Sequence, residues 1–231
     1  MNAIDLMRAH LDALYTHDSR GRMLAVNEWS GGRPPRFHLG RTVAGNVWRF
    51  RDDVPAECVQ QLEALCAQEP VWDGASRLPH LRIELEHALT ADAPVTQIAA
   101  GPAWWFASAI TPAVAPLAIT LANADRLRGG LDAWLPDVPH RHPFMASVAD
   151  GRAVSVCASV RITPAAHEAG VDTVAAHRRR GHAANAIAGW ASAVQALGAL
   201  ALYSTSWENT ASQGVAAKLG LALYGADYEI V

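Results

Sequence analysis

The sequence predicts a mixed α/β (α+β) protein, and three observations predict it. From Phe144 onward the apolar residues alternate with period two through three successive segments, then switch to helical spacing. An Asp150-Gly151 pair sits between the first two segments and signals a hairpin turn. Strand and helix patterns then take turns to the end of the chain, an order that sets helices against a mixed sheet.

Taken in order, Ile4, Leu6, Met7, Leu11, Leu14 and Tyr15 recur at helical spacing and predict a helix over 3–15. The polar run 17–22 reads as a turn and 23–29 as a strand. Residues 30–35 hold two glycines and two prolines and form a loop. Residues 37–39 and 46–50 alternate apolar and polar, as strands do. Pro55 opens a helix that reaches Gln68, with Val59, Leu62, Leu65 and Cys66 on one face. Six prolines punctuate 70–116; a short helix is expected over 81–89. Trp104-Trp105-Phe106 reads either as a buried strand or as the aromatic wall of a pocket. Thr120 is read as the N-cap of one helix over 120–135, stopped by Pro136. Strands follow over 144–148, 153–162 and 168–175, then a helix over 181–198. A strand over 200–206, a helix over 210–219 and a last strand over 221–230 complete the chain.

Composition narrows the partners. The 231 residues are 51% hydrophobic and 18% charged, enough for a substantial core. A net charge of −3 provides no field to recruit nucleic acid or an anionic membrane, and neither is expected. Cys58, Cys66 and Cys157 are odd in number and form no CxxC pair, which argues against disulfides and structural zinc. Pro139 and Pro143 make His140-Arg141-His142 a loop rather than a metal pair, and no metal is expected. The N-terminus lacks a basic start followed by an apolar run. The longest apolar candidate, 98–124, is broken by Pro102, Pro112 and Pro116, so a cytoplasmic protein is the default expectation.

The most specific local signal is Arg178-Arg179-Arg180-Gly181-His182-Ala183, where a strand pattern ends and a helix pattern begins. Glycine lets the backbone turn sharply and lets a ligand approach closely. The amides of a first helical turn, with the helix dipole, then make an anion site suited to a pyrophosphate. The alternative is a basic helix start that only meets solvent.

Here the sequence resembles a family. Arg178-x-x-Gly181-x-Ala183 resembles the R/Q-x-x-G-x-G/A signature of the GCN5-related N-acetyltransferases (GNAT), and Glu208-Asn209-Thr210-Ala211-Ser212 with Ala217-Lys218-Leu219-Gly220-Leu221 resembles a second block of that family. The two blocks stand in the family's order, and the resemblance covers roughly residues 117–231. It implies a GNAT-like, mostly antiparallel mixed sheet flanked by helices, with acetyl-CoA as co-substrate. It also implies roles for particular residues. Val171 and Thr173 would pair through their backbones with the pantetheine arm. Backbone amides from Arg179, Arg180, Gly181, His182 and Ala183 would hold the pyrophosphate, with Arg178 beside them. Asn209 would bond the pantetheine. The family's usual tyrosine acid falls at Ala216, a departure that leaves Ser212 either as the substitute proton donor or as a coenzyme contact or helix cap.

An attacking amine must be neutral, so a general base is needed near the strands, and Glu168 leads, with His167 and His182 behind it. Its alternative is a surface strand carboxylate. A backbone amide near 171–173 would meet the oxyanion. The expected division is a GNAT domain over 106–231 and an α/β extension over 1–105. That extension reads as a cap over the acceptor side or as a degenerate second GNAT-like half. The acceptor is expected to be a primary amine on a small molecule or a protein, and a homodimer is compatible with the sequence. A non-catalytic acyl-CoA binder or sensor and an unrelated phosphate-binding module are the rival readings.

Overall fold

Asn2 starts the first helix by accepting the Asp5 amide on its side chain at 2.9 Å. The helix α1 (Ala3–Leu14) then turns Leu6, Met7, His10 and Leu11 inward. The structure, a computed structural model, describes residues 1–231. Helix α1 stops one residue earlier than its apolar spacing suggests, because Tyr15 takes an extended conformation and opens β1 (Tyr15–His17). Strand β1 pairs antiparallel with β2 (Met23–Val26).

The chain continues through β3 (Phe37–Thr42), β4 (Gly45–Phe50), α2 (Ala56–Cys66), α3 (Arg82–Thr90) and β5 (Ile98–Trp105). It then runs through β6 (Leu117–Ala118), β7 (Phe144–Ala149), β8 (Arg152–Ile162), β9 (Ala166–Thr173), α4 (His182–Ala196), β10 (Leu200–Ser204), α5 (Thr210–Leu219) and β11 (Ala222–Ile230). Two compact units result. Met1–Trp104, Ser204–Thr210 and Leu223–Val231 form the first; Trp105–Tyr203 and Ala211–Ala222 form the second.

In the first unit the strand order is β4-β3-β11-β5, with β3 antiparallel to both β4 and β11. Phe37, Leu39, Leu62, Leu85, Leu89, Tyr228 and Ile230 are fully buried in its apolar core. The nine-residue helix α3 is too short to be stable alone. It is held at both ends from outside. The Glu69 carboxylate accepts the His80 and Leu81 amides, each at 2.8 Å, and caps the start. Buried Arg36 donates to the carbonyls of Leu89 and Ala93 and to Asp92 at the other end.

Trp104 and Trp105 lie in strand β5, the first of the two expectations for that triplet. Gly101 of β5 is there because nothing larger fits: a Cβ would fall on the carbonyl oxygen of Thr205. A backbone atom cannot yield as a side chain does. Gly101→Ala is therefore expected to cost about 3 kcal/mol, read as a lower urea midpoint at unchanged slope.

A buried polar cluster crosses the same unit. Asp227 of β11 meets His10 of α1 at 3.0 Å through one oxygen and His38 of β3 at 3.1 Å through the other. The Tyr15 hydroxyl lies 3.0 Å from the far nitrogen of His38. Both histidines are fully buried.

In the second unit the order is β10-β9-β8-β7-β6. All neighbours are antiparallel except β9 and β10, which run parallel. Helix α4 covers one face with buried Ile187, Trp190, Ala191 and Val194. Phe144, Ala146, Val156 and Ala158 join Leu127, Leu131 and Val138 on the other face. The single helix expected over 120–135 is instead two 3-10 turns, Leu121–Leu127 and Asp132–Asp137. Gly129 and Gly130, at φ +92° and +158°, break it. Thr120 is its cap, in a capping box with Asn123. No helix is long and apolar enough to cross a membrane.

Candidate functional site

Strand β9 positions the site. It pairs with β10 over three residues only, Ala166, His167 and Glu168 with Leu200, Ala201 and Leu202. Beyond Glu168 it runs on to Thr173 along β8. The Val174 amide donates back to Val154 at 2.9 Å. Strand alternation then turns the main-chain groups of Gly170 and Asp172 toward β8, and those of Ala169, Val171 and Thr173 away from it. The amide of Thr173 is held by the Asp172 carboxylate at 2.7 Å, and its carbonyl by Arg178 Nε at 3.2 Å. Ala169 and Val171 carry the other outward pairs, and Val171 is the farther of the two from the last β10 partner. The Val171 side chain shares a face with His167 and Thr173, while Glu168 shares the opposite face with Gly170 and Asp172. On that opposite face Trp134 Nε1 donates to Asp172 at 3.4 Å. Glu168 is 3% exposed, so it is a buried carboxylate and not a surface one.

A tight turn follows. Arg179 takes a left-handed φ of +60° and Gly181 a φ of +90°. A positive φ of that size suits glycine, which is why Gly181 can stand at the N-cap of α4. Gly181 has no side chain to cap the helix, and the first turn carries no acidic residue. The first amides of α4 therefore keep their donors and the positive end of the dipole for something else. A cavity of about 450 Å³ opens there, lined among others by Ser147, Arg180, Gly181, His182, Asn185 and Lys218. Lys218 Nζ lies 3.8 Å from where a Gly181 Cβ would be. Two cations and a helix start thus converge on one hollow.

His182 is fixed in this hollow by a 2.9 Å hydrogen bond between its Nδ1 and the Ser147 hydroxyl. Its pKa is lowered by burial first and then by the charges of His177 and Arg180. A second hollow of about 510 Å³ takes Val174 and His177 from the start of the same turn, with Arg128 and Arg152.

The structure brings Arg180, Gly181, His182 and, through the chain, Ala183 together around the cavity. Arg178 instead folds back onto the end of β9, and Arg178 and Arg179 are exposed. Ser212 lies on α5, half-buried, hydrogen-bonded to the Tyr203 hydroxyl. Asn209 is exposed in the Ser204–Thr210 stretch of the first unit, its amide donating to Ser206. Sequence reasoning missed Ser147 and Lys218 among the residues that line the cavity. Only Lys218 left a signal, its place in the Ala217-Lys218-Leu219-Gly220 block.

No family model matches the sequence. No curated protein matches it either. Among solved structures the chain is similar to an acetyltransferase from the GNAT family of Colwellia psychrerythraea, with a TM-score of 0.52 at 12% identity over 99% of this chain and 96% of that one. It is also similar to a GCN5-related N-acetyltransferase-like protein of Streptococcus suis, with a TM-score of 0.46, 14% identity and coverage of 85% and 84%. A GNAT-family protein of Novosphingobium aromaticivorans matches at a TM-score of 0.47 and 17% identity over 59% of this chain. The chain spans 65% of that protein, just under two thirds of its length. The Colwellia likeness, which runs nearly end to end, shows that the chain has the GNAT fold, a mixed, mostly antiparallel sheet flanked by helices.

Proposed function

We propose that this protein is an N-acetyltransferase that moves an acetyl group from acetyl-CoA to a primary amine by direct attack. The observation that carries the reading is the uncapped start of α4 behind Gly181, facing a cavity with Arg180 and Lys218. Backbone donors plus fixed cations are what a pyrophosphate requires. The continuation of β9 past its last β10 partner supports it, because the outward groups of Val171 can pair with an extended amide arm as a further strand would.

On this reading the amides of Gly181, His182 and Ala183 hold the diphosphate, with Arg180 and Lys218 as counter-charges. The Val171 amide meets the developing oxyanion, since the Thr173 amide already serves Asp172. Glu168 is the base that takes the amine proton, and Ser212 the group that protonates the departing sulfur. The acceptor is an amine on a small molecule or on a protein.

The alternative, an acyl-CoA binder without catalysis, is favoured by one observation. Ala216, at the family's usual tyrosine position, is fully buried and carries no proton. Free-thiol release from acetyl-CoA across a panel of primary amines separates the two. Release above the no-amine rate with at least one amine is the expected result. Stabilisation by coenzyme A without any release would leave the binder, and no stabilisation at all would overturn both.

A further inference from the structure

Ser212 and Ala216 stand one helical turn apart on α5, so their side chains leave the same face. That face carries no acid of its own: the only ionisable residue of α5 is Lys218. A phenol comes to it from the sheet instead. Tyr203 of β10 is hydrogen-bonded through its hydroxyl to Ser212, and it is 3% exposed. It is also the first β10 residue past the last β9 pair, Leu202 with Glu168. Tyr203 therefore stands where the two strands stop pairing, at the mouth of the β9 edge that carries Val171.

We propose that Tyr203 is a positioning residue for acyl transfer: it orients the Ser212 hydroxyl and replaces the proton that Ser212 gives up. The assignment rests on the acetyltransferase reading and deepens it. The amine nitrogen forms its bond to the acyl carbon, and the carbon–sulfur bond breaks with its electron pair leaving on sulfur. Sulfur takes the Ser212 proton, and Ser212 takes the Tyr203 proton. The phenolate recovers a proton from solvent, and the proton shed by the acylated nitrogen passes to Glu168 and from there to solvent. A serine alone is a poor acid, and a relay to a phenol supplies the missing acidity. Burial raises the Tyr203 pKa, and the hydrogen bond shared with Ser212 only partly offsets it, so the phenol carries its proton through the neutral range. Phenolate would accumulate only in alkali.

The test uses the full chain, saturating acetyl-CoA and an amine on which the natural protein turns over. Tyr203→Phe keeps the ring and removes the hydroxyl. Its kcat is expected to fall at least about 10-fold, with KM for acetyl-CoA within about twofold and coenzyme A affinity unchanged in calorimetry. Ser212→Ala and the double variant are expected to match each other within about twofold, because a residue acting through Ser212 has nothing left to do once that hydroxyl is gone. A Tyr203→Phe kcat within twofold of the natural protein, or losses that multiply in the double variant, would overturn the assignment alone. Should Tyr203→Phe fail to fold, a fluorotyrosine incorporated at position 203 keeps ring and bond but is a stronger acid. It must move the alkaline fall of kcat to lower pH, and an unmoved limb would equally overturn the assignment. No thiol release by the natural protein with any amine, despite coenzyme binding, would overturn the acetyltransferase reading and Tyr203's part in it.

Discussion

Replacing Gly181 by glutamate is expected to lower coenzyme A affinity at least about 100-fold, a loss of about 2.7 kcal/mol in calorimetry. Three effects act together. Gly181 sits at φ +90°, where an L side chain strains the turn that aims the first amides of α4. The new carboxylate would enter a cavity read as an anion site and repel the diphosphate. It would also rise within reach of Lys218, 3.8 Å from the Cβ position, and take one of the two cations out of service. Gly181→Ala separates these effects, since it keeps the strain and adds no charge; it should lose much less. Equal affinity for the glutamate variant and the natural protein would remove the α4 start from the site.

The largest expected stability effect lies in the other unit, at Asp227. Its carboxylate accepts from His10 and His38 with all three side chains buried, and Asp227→Asn offers one of those histidines a donor instead of an acceptor. Removing one partner of a buried charged network typically costs about 3–5 kcal/mol. Burial alone would raise the Asp227 pKa; the charges and hydrogen bonds of His10 and His38 outweigh it and hold it well below the usual carboxylate range. A depressed carboxylate stabilises the fold fully above its unfolded pKa, about 3.9, and loses that contribution as pH falls toward the folded value. The difference between natural protein and Asp227→Asn in urea should therefore shrink as pH falls below about 4. A gap under about 1 kcal/mol at pH 7 would mean the histidines find other partners, such as Glu229, whose carboxylate lies 3.5 Å from His38.

The parts that were legible in the sequence are those written in consecutive residues. The run Arg178 to Ala183 announces its turn because a glycine must stand where φ is positive and the helix pattern begins next to it. The hairpin at Asp150-Gly151 and the caps of the 120–135 region are local in the same sense, although Gly129-Gly130 overrode the helical spacing that Leu127 and Leu131 share. What was not legible joins distant residues. Arg36 and Glu69 hold α3 from outside it, and Asp227 gathers His10 and His38 from 217 and 189 positions away. The Ser147–His182 and Tyr203–Ser212 bonds likewise unite separate elements. Periodicity reports which face of a segment is buried; it does not report what that face meets.

The path of the chain between the two units has a practical consequence. Strand β11 closes the sequence, yet it lies between β3 and β5 in the first unit. A fragment cut at residue 106, the boundary that the sequence suggests, would keep β11 and discard both of its neighbours. Tyr228 and Ile230, fully buried in the whole chain, would then line a strand with two open edges. Such a fragment should aggregate on expression more than one that also ends before β11, and light scattering would tell them apart. Evolution of such a chain is constrained in the same way: its two ends cannot be exchanged independently, because the last strand is a wall of the room built by the first.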